Sequence, residues 1–236
     1  MSAGSVPHVE LRVWGTDRVL PALGRMATGG PRLRRTPGLR FAKLLGTGSA
    51  RTFTPRDADP HHWALLTVWD DRAAAAAAAG CPVLRSWSRA SHEELRVAMS
   101  PVRSRGRWSR QEPFAPVGEA AVGEAPVGTG AVASITRARL RPTRALSFWR
   151  AVPPVVEDLT ATPGLRLALG IGEAPIGLQG TFSLWDSDAA LRAFAHGSAA
   201  HRAAVRRTEP ERWYAEELFA RLAVVDVEGT YEGRTV

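Results

Sequence analysis

TPGLR stands at residues 36–40 and again, letter for letter, at residues 162–166. Two more anchors keep the same order. Trp69-Asp70 ends the apolar run HHWALLTVWD (61–70) as Trp185-Asp186 ends TFSLWD (181–186), and Glu93-Glu94-Leu95 is matched by Glu216-Glu217-Leu218. The spacing between matched anchors drifts, with a shorter loop after the second strand of the later unit. Ordered anchors with drifting spacing predict one unit present twice.

The elements of each unit follow by working outward from these anchors. HVELRVW (8–14) alternates and stops at a Gly-Thr-Asp turn, which predicts a strand. Asp17 opens a short helix over residues 18–26. Residues 38–45 and 62–69 are strands, the second nearly continuous in apolar character and so well buried, with a long loop at 46–59 between them. Asp70 and Asp71 cap an alanine helix over 72–79 that breaks at Gly80-Cys81-Pro82; a helical piece at 83–91 and a strand at 94–99 follow. QEPFAPVGEAAVGEAPVGTG (111–130) is Pro/Gly-rich with an imperfect VGEA repeat and reads as a linker. The pattern then restarts with a strand at 131–140 and a helix from Thr143 interrupted at Pro153-Pro154. Strand, broken helix and strand complete it between residues 181 and 221.

Each unit is therefore β-α-β-β-α-β, the ferredoxin-like pattern. A four-stranded sheet with two helices on one side leaves its other face bare, and two such sheets can close that gap against each other. The expected fold is α+β: tandem duplicated ferredoxin-like halves forming a dimeric-α/β-barrel-like domain within one chain. An N-terminal half at 8–110, a linker at 111–130 and a C-terminal half at 131–228 follow a disordered tail at residues 1–7.

Composition narrows the function classes. The 236 residues are 44% hydrophobic and 23% charged, which suits a globular protein with a real core. No apolar run reaches the ~20 residues a bilayer crossing needs, and the first residues carry no signal-peptide pattern, so a cytoplasmic location is expected. The single cysteine, Cys81, excludes an internal disulfide and a multi-cysteine metal or iron–sulfur site. The net charge of +8 is almost all arginine. It suits an anionic ligand or an acidic partner; no nucleic-acid-binding motif accompanies it. His61-His62 beside Asp57 and Asp59 lacks a third metal ligand, and GTGSA (46–50) is only half of a dinucleotide fingerprint.

One histidine stands out. Leu191, Phe194, Ser198, His201 and Val205 are spaced to share one helical face. Matching the helix breaks, Gly80 with Gly197, sets Leu84 opposite His201, so the earlier half manages with an apolar residue there. His201 is thus either a core histidine or a ligand-binding one. With Arg202 and Arg206 nearby it could form a haem site, the imidazole on the iron and arginines pairing with the propionates.

LRFAKLLGTGSARTFTP (39–55), HHWALLTVWD, TFSLWD, AAHRAAVRRT (199–208) and RWYAEELFARL (212–222) resemble the spheroidene monooxygenase family over nearly the whole chain. The GTG-x-x-x-x-FTP loop and the W-[YF]-x-EEL-[YF]-AR ending are the more specific signatures. The resemblance implies a haem-dependent monooxygenase with haem b, dioxygen, a ferredoxin-type electron donor and a hydrophobic, carotenoid-like substrate. It implies that the axial histidine falls on His201, where Ala200-His201 replaces the paired histidines of family members. Arg202, Arg206 and Arg40 are the arginines expected at the propionates or at an acidic ferredoxin. A haem-binding or haem-sensing protein, another haem enzyme such as a peroxidase or dehydratase, and a cofactor-free small-ligand-binding α/β barrel are the alternatives on the same scaffold.

Overall fold

A computed structural model describes residues 6–49, 55–115, 130–174 and 178–236. Most of the expected tail, the Arg51–Thr54 part of the signature loop and most of the expected linker lie outside the described residues.

The elements run β1 (His8–Gly15), α1 (Val19–Leu33), β2 (Leu39–Gly48), β3 (Ala58–Trp69), α2 (Arg72–Ala78), α3 (Pro82–Ser88) and β4 (Glu93–Gly106). They continue with β5 (Val132–Leu140), α4 (Ala145–Ala161), β6 (Leu165–Gly172), β7 (Leu178–Trp185), α5 (Asp188–Gly197), α6 (Ala199–Glu211), β8 (Tyr214–Tyr231) and the short β9 (Arg234–Thr235). Hydrogen bonding gives the order β4-β1-β3-β2-β6-β7-β5-β8, and β8 returns to β4. The result is a closed eight-stranded antiparallel barrel with helices outside. The β4–β8 seam is long, from Leu95↔Gly229 to Gly106↔Leu218. The β2–β6 seam is three residues, Gly46, Thr47 and Gly48 against Gly172, Ile171 and Gly170.

The repeated pentapeptide has a steric cause. Gly38 and Gly164 take φ of +74° and +86°, and a Cβ on them would meet Ala74 and Ala190 Cβ at 2.6 and 2.8 Å. Their carbonyls accept from Asp70 and Asp186 N at 2.8 Å, which seats the turn against the end of the third strand. The indoles of Trp69 and Trp185 donate to Thr67 and Ser183 at 2.9 Å each. The helices that follow start where short polar side chains cap them: Asp71 accepts from Ala74 N, Ser187 from Ala190 N and Ser198 from His201 N.

Several boundaries differ from expectation for physical reasons. Helix α1 runs on to Leu33, because Leu33 and Ala22 are buried beneath it. Helix α4 passes through Pro153-Pro154 without a break. Burial of Val152 and Leu159 outweighs the backbone bonds two prolines remove. Strands β4 and β8 are much longer than the apolar pattern, because they pair with each other from Leu95↔Gly229 to Gly106↔Leu218. The start of the expected linker is packed structure, with Phe114 fully buried in the barrel core next to the end of the N-terminal half, where Trp108 is buried too.

The glutamates of the EEL repeat explain themselves. After β4, Ser109 and Arg110 take φ of 54° and 65°; after β8, Glu232 and Gly233 take 51° and 71°. Both pairs form tight two-residue turns of the type that needs positive φ twice. Glu216 accepts from Ser109 N at 3.0 Å and Arg110 N at 2.8 Å. Glu93 accepts from Glu232 N and Gly233 N at 3.1 Å each. Each half thus pins the turn that ends the other half's last strand. Inside the barrel Arg137, 1% exposed, bonds Glu216 and meets Glu173 at 2.6 Å, while Lys43 holds the other Glu173 oxygen at 2.6 Å. At the matching place Glu93 meets His62 at 2.9 Å and His62 meets Asp59 at 2.6 Å.

Burial alone would raise the Glu93 carboxyl; His62, Gly233 N and Thr230 outweigh it and hold it at about 2. Burial of Glu10 is likewise outweighed by His8, Arg96 and Arg12, which hold it at about 2. His62 moves the other way: burial lowers it, and the carboxylates of Glu93 and Asp59 raise it above its ordinary value.

Two predictions follow from these contacts. Glu216→Ala leaves Arg137 short of one buried partner and two N–H groups without their acceptor, and should cost about 3–5 kcal/mol in urea unfolding; Glu216→Gln, which keeps an acceptor, should cost less. Acid should unfold the chain as the depressed carboxylates protonate: the stability from Glu10 and Glu93 is full above their unfolded values and is lost as pH falls towards about 2. His62 has the opposite sign, its contribution present below its unfolded value and lost as pH rises through the raised one. Urea midpoints across a pH series check both.

Candidate functional site

The outward faces of the two half-sheets differ, and register shows where. Trp69 pairs with His8 and Leu39, and Trp185 with Val132 and Leu165, so these rows correspond. Trp185 packs with Val132, Leu159, Leu191 and Phe194, which puts it on the helix-facing side. Ser183, Thr181 and Gln179 share that side, since side chains alternate along a strand. Counting back from the tryptophans sets Gln179 at the position of Trp63, Thr181 at Leu65, Gly170 at Leu44, Thr136 at Arg12 and Ala138 at Trp14.

The helices repeat the contrast. Cys81 precedes α3 as Ser198 precedes α6. Leu84 then corresponds to His201, and Trp87 to Ala204. In the N-terminal half Trp87 stacks on Trp14 at 5.3 Å and tilts against Trp63 at 6.5 Å. Val83, Leu84 and Trp87 are buried there. In the C-terminal half alanine, glutamine and alanine take the places of those three indoles. Helix α6 has no buried residue, and Val205, expected on its inward stripe, is 54% exposed. It packs chiefly against α4 and α5. The same frame that is filled with tryptophan on one side is lined with small and polar residues on the other.

His201 is half-buried in the first turn of α6. Its ring tilts against Phe194 at 5.0 Å, and Phe194 stacks on Trp185 at 5.7 Å. Its backbone N donates to Ser198 Oγ at 2.8 Å, and that hydroxyl donates to Asp158 Oδ2 on α4 at 2.6 Å. The imidazole nitrogens bond no described residue. Burial pushes the ring below its ordinary pKa, and His196 adds to this. A ring kept neutral with free nitrogens is in the state that binds a metal.

The arginines expected with it are distributed otherwise. Arg202 and Arg206 lie on α6 and are exposed, Arg202 donating to the His196 carbonyl. Arg40 sits at a bulge of β2 in the other half, where Nη2 donates to the Ala115 carbonyl at 2.9 Å and Nη1 is buried without a partner. Arg202 and Arg206 thus share only their helix with His201, while Arg40 is tied to Ala115 in the other half. His61 and His62 part as alternation requires, His61 to the Thr16 carbonyl and His62 to Asp59 and Glu93. Among the described residues no cluster of three His, Cys, Asp or Glu side chains is arranged to hold a metal ion.

Sequence reasoning missed the sheet side of this site. Gln179 is 9% exposed, and its Nε2 is buried with no hydrogen-bond partner. Trp149 Nε1, on α4, is buried and unpartnered too. Thr136 and Thr181 pair across β5 and β7, and their hydroxyls bond no other described residue. A one-residue bulge at Ala215 lets Leu140 face Tyr214. Burial pushes the Tyr214 hydroxyl up to about 12, and Glu217 adds to this. Aligning HHWALLTVW with LQGTFSLW on their final tryptophans would have shown glutamine under tryptophan. A haem fits this donor set: a neutral imidazole on the helix, small residues where a flat ring needs room, and polar groups left unsatisfied on the walls.

The chain is similar to curated proteins and to solved structures. It is 33% identical to spheroidene monooxygenase of Rhodobacter capsulatus over 93% of this chain and 90% of that one. It is 36% identical to spheroidene monooxygenase of Rubrivivax gelatinosus over 94% and 80%. No family model matches. Among solved structures, an aldoxime dehydratase aligns over 94% of this chain and 82% of that one, at a TM-score of 0.58 and 11% identity. An aldoxime dehydratase in complex with butyraldoxime gives 0.57 and 13%, over 96% and 82%. At such identity the two dehydratases share the fold.

Ser198 holds both the start of α6 and the link to α4. Ser198→Ala should therefore lower the unfolding midpoint by about 2–4 °C, the effect of losing one cap worth about 1 kcal/mol. Differential scanning calorimetry reads it, and an unchanged midpoint would show that the cap contributes nothing.

Proposed function

The chain belongs to the spheroidene monooxygenase family, and from that premise we propose that it inserts an oxygen atom from dioxygen into a hydrophobic, carotenoid-like substrate with the help of haem b held by His201. The observation that carries the haem reading is the contrast between the halves: three packed indoles on one side, and Ala138, Gln179 and Ala204 in their places on the other, where the helix carries an imidazole that bonds no described residue and that burial keeps neutral. The matched strand order of the halves, β4-β1-β3-β2 and β8-β5-β7-β6, also supports their origin as tandem copies of one ferredoxin-like unit.

When bound, haem supplies a redox-active iron that accepts electrons and handles dioxygen. The chain's own residues do the rest. His201 Nε2 or Nδ1 offers the lone pair, and Ser198 and Asp158 fix the helix turn that carries it. Arg202 and Arg206 stand exposed on the same helix and would pair with propionates at its edge, Arg202 giving up its bond to the His196 carbonyl. Phe194, Trp185 and Leu191 keep water from the ring's inner side. Thr136, Thr181 and Gln179 give the sheet wall a few polar groups in an otherwise apolar lining, which orients a long apolar substrate without solvating it. Electrons come from a ferredoxin-type donor, and the net charge of +8 suits an acidic one. Among the described residues no helix is long and apolar enough to cross a membrane.

The test begins with hemin titrated into the purified chain. Wild type should develop a Soret band, and His201→Ala should lose it while keeping its circular dichroism. An unchanged band in that variant would overturn the ligand assignment. Because the imidazole must be neutral to bind, haem retention should hold at neutral pH and fall as pH drops through the lowered His201 value. Oxygen consumption tied to conversion of an acyclic carotenoid, with a ferredoxin and its reductase, tests the reaction itself.

A further inference from the structure

We propose that Gln179 is a ligand-contacting residue, whose amide donates a hydrogen bond to an acceptor oxygen of a small molecule lodged between the C-terminal half-sheet and α6. The identity of that molecule rests on the haem reading above.

The argument starts from an unpaired donor. Gln179 is 9% exposed and its Nε2 bonds nothing. Leaving a buried amide unsatisfied costs stability, and native chains avoid it unless another partner arrives. Its counterpart shows that the position does not demand this. Trp63 also carries an N–H, and there Nε1 donates to the Pro60 carbonyl at 2.9 Å. The strand neighbours of Gln179, Ala138 and Gly172, offer no side-chain acceptor. Trp149 Nε1, on the helix that packs against α6 and β6, is a second buried donor in want of an acceptor. The Gln179 amide has no partner among the described residues, and an occupant that brings an oxygen lone pair would satisfy it.

Placement separates this role from that of His201. His201 lies on α6 and Gln179 on the helix-facing side of β7, so an occupant reaching both would meet imidazole from the helix and amide from the sheet. The amide is then suited to the small ligand on the side away from His201, and carbon monoxide is a probe for that place.

The experiment has two arms, both with the full chain. Without added hemin, Gln179→Leu should raise the melting midpoint by about 2–4 °C, because an apolar side chain of similar length removes the unsatisfied amide. A lower midpoint would mean that the amide has a structural partner, and would overturn the proposal. With hemin bound, wild type and Gln179→Leu should show the same Soret band, while the infrared stretch of bound carbon monoxide moves to higher frequency in the variant, as loss of a hydrogen-bond donor requires. A stretch unchanged between the two would overturn the proposal while leaving the haem reading intact. A wild-type chain that takes up no hemin would overturn the haem reading and this role for Gln179 together. A purely structural glutamine would move the midpoint down and leave the stretch alone.

Discussion

Two glutamates hold the barrel shut. Glu216 grips the turn at Ser109 and Arg110, Glu93 grips the turn at Glu232 and Gly233, and each turn ends the last strand of the opposite half. A carboxylate that accepts two backbone N–H groups from a left-handed turn stabilises a backbone that would otherwise be strained. Three of the four residues in these turns are not glycine. The long β4–β8 seam depends on this, because the strands leave the barrel at those turns. Closure in turn fixes which face of each half-sheet is inside, and so which face is left for helices to cover.

What the helices cover is different on the two sides. The N-terminal half fills its helix-facing space with Trp14, Trp63 and Trp87. The C-terminal half keeps the frame and withdraws the filling. Apolar packing of that kind is a large share of a small domain's stability, so a half that gives it up depends on the common barrel. The interior cluster is shared by both halves, from Val9 to Leu222, and supplies that support. One closed core thus permits one wall filled with indoles and one wall lined with small and polar residues.

The repeats made most of this fold legible, and their physical reasons are now clear. TPGLR is repeated because the glycine needs positive φ and lies hard against an alanine of the next helix. EEL is repeated because its first glutamate is a clasp. Periodicity failed where pairing or burial overruled it: in α4, helical through two prolines, and in β8, extended through to Tyr231. His201 was visible because its counterpart is Leu84. The buried Arg137 was not, since an arginine in an alternating strand reads as solvent-facing, and only closure of the barrel reveals Glu173 and Glu216 around it. Gln179 escaped for a related reason. A single polar residue in a strand carries no signal until the tryptophan in its matching position is known.

The two seams of the cylinder are unequal. Beside the long β4–β8 ladder, β2 and β6 touch through three residues a side, and Gly46, Gly48, Gly170 and Gly172 supply four of those six. Glycine adds no side-chain burial and leaves the chain much freedom to regain on opening. Thermal breathing will therefore concentrate on this glycine zip, with the opposite ladder acting as the hinge. The zip ends on Gly170 and Gly172, strand neighbours of Thr181 and Gln179, so a parting there unseals the polar wall first.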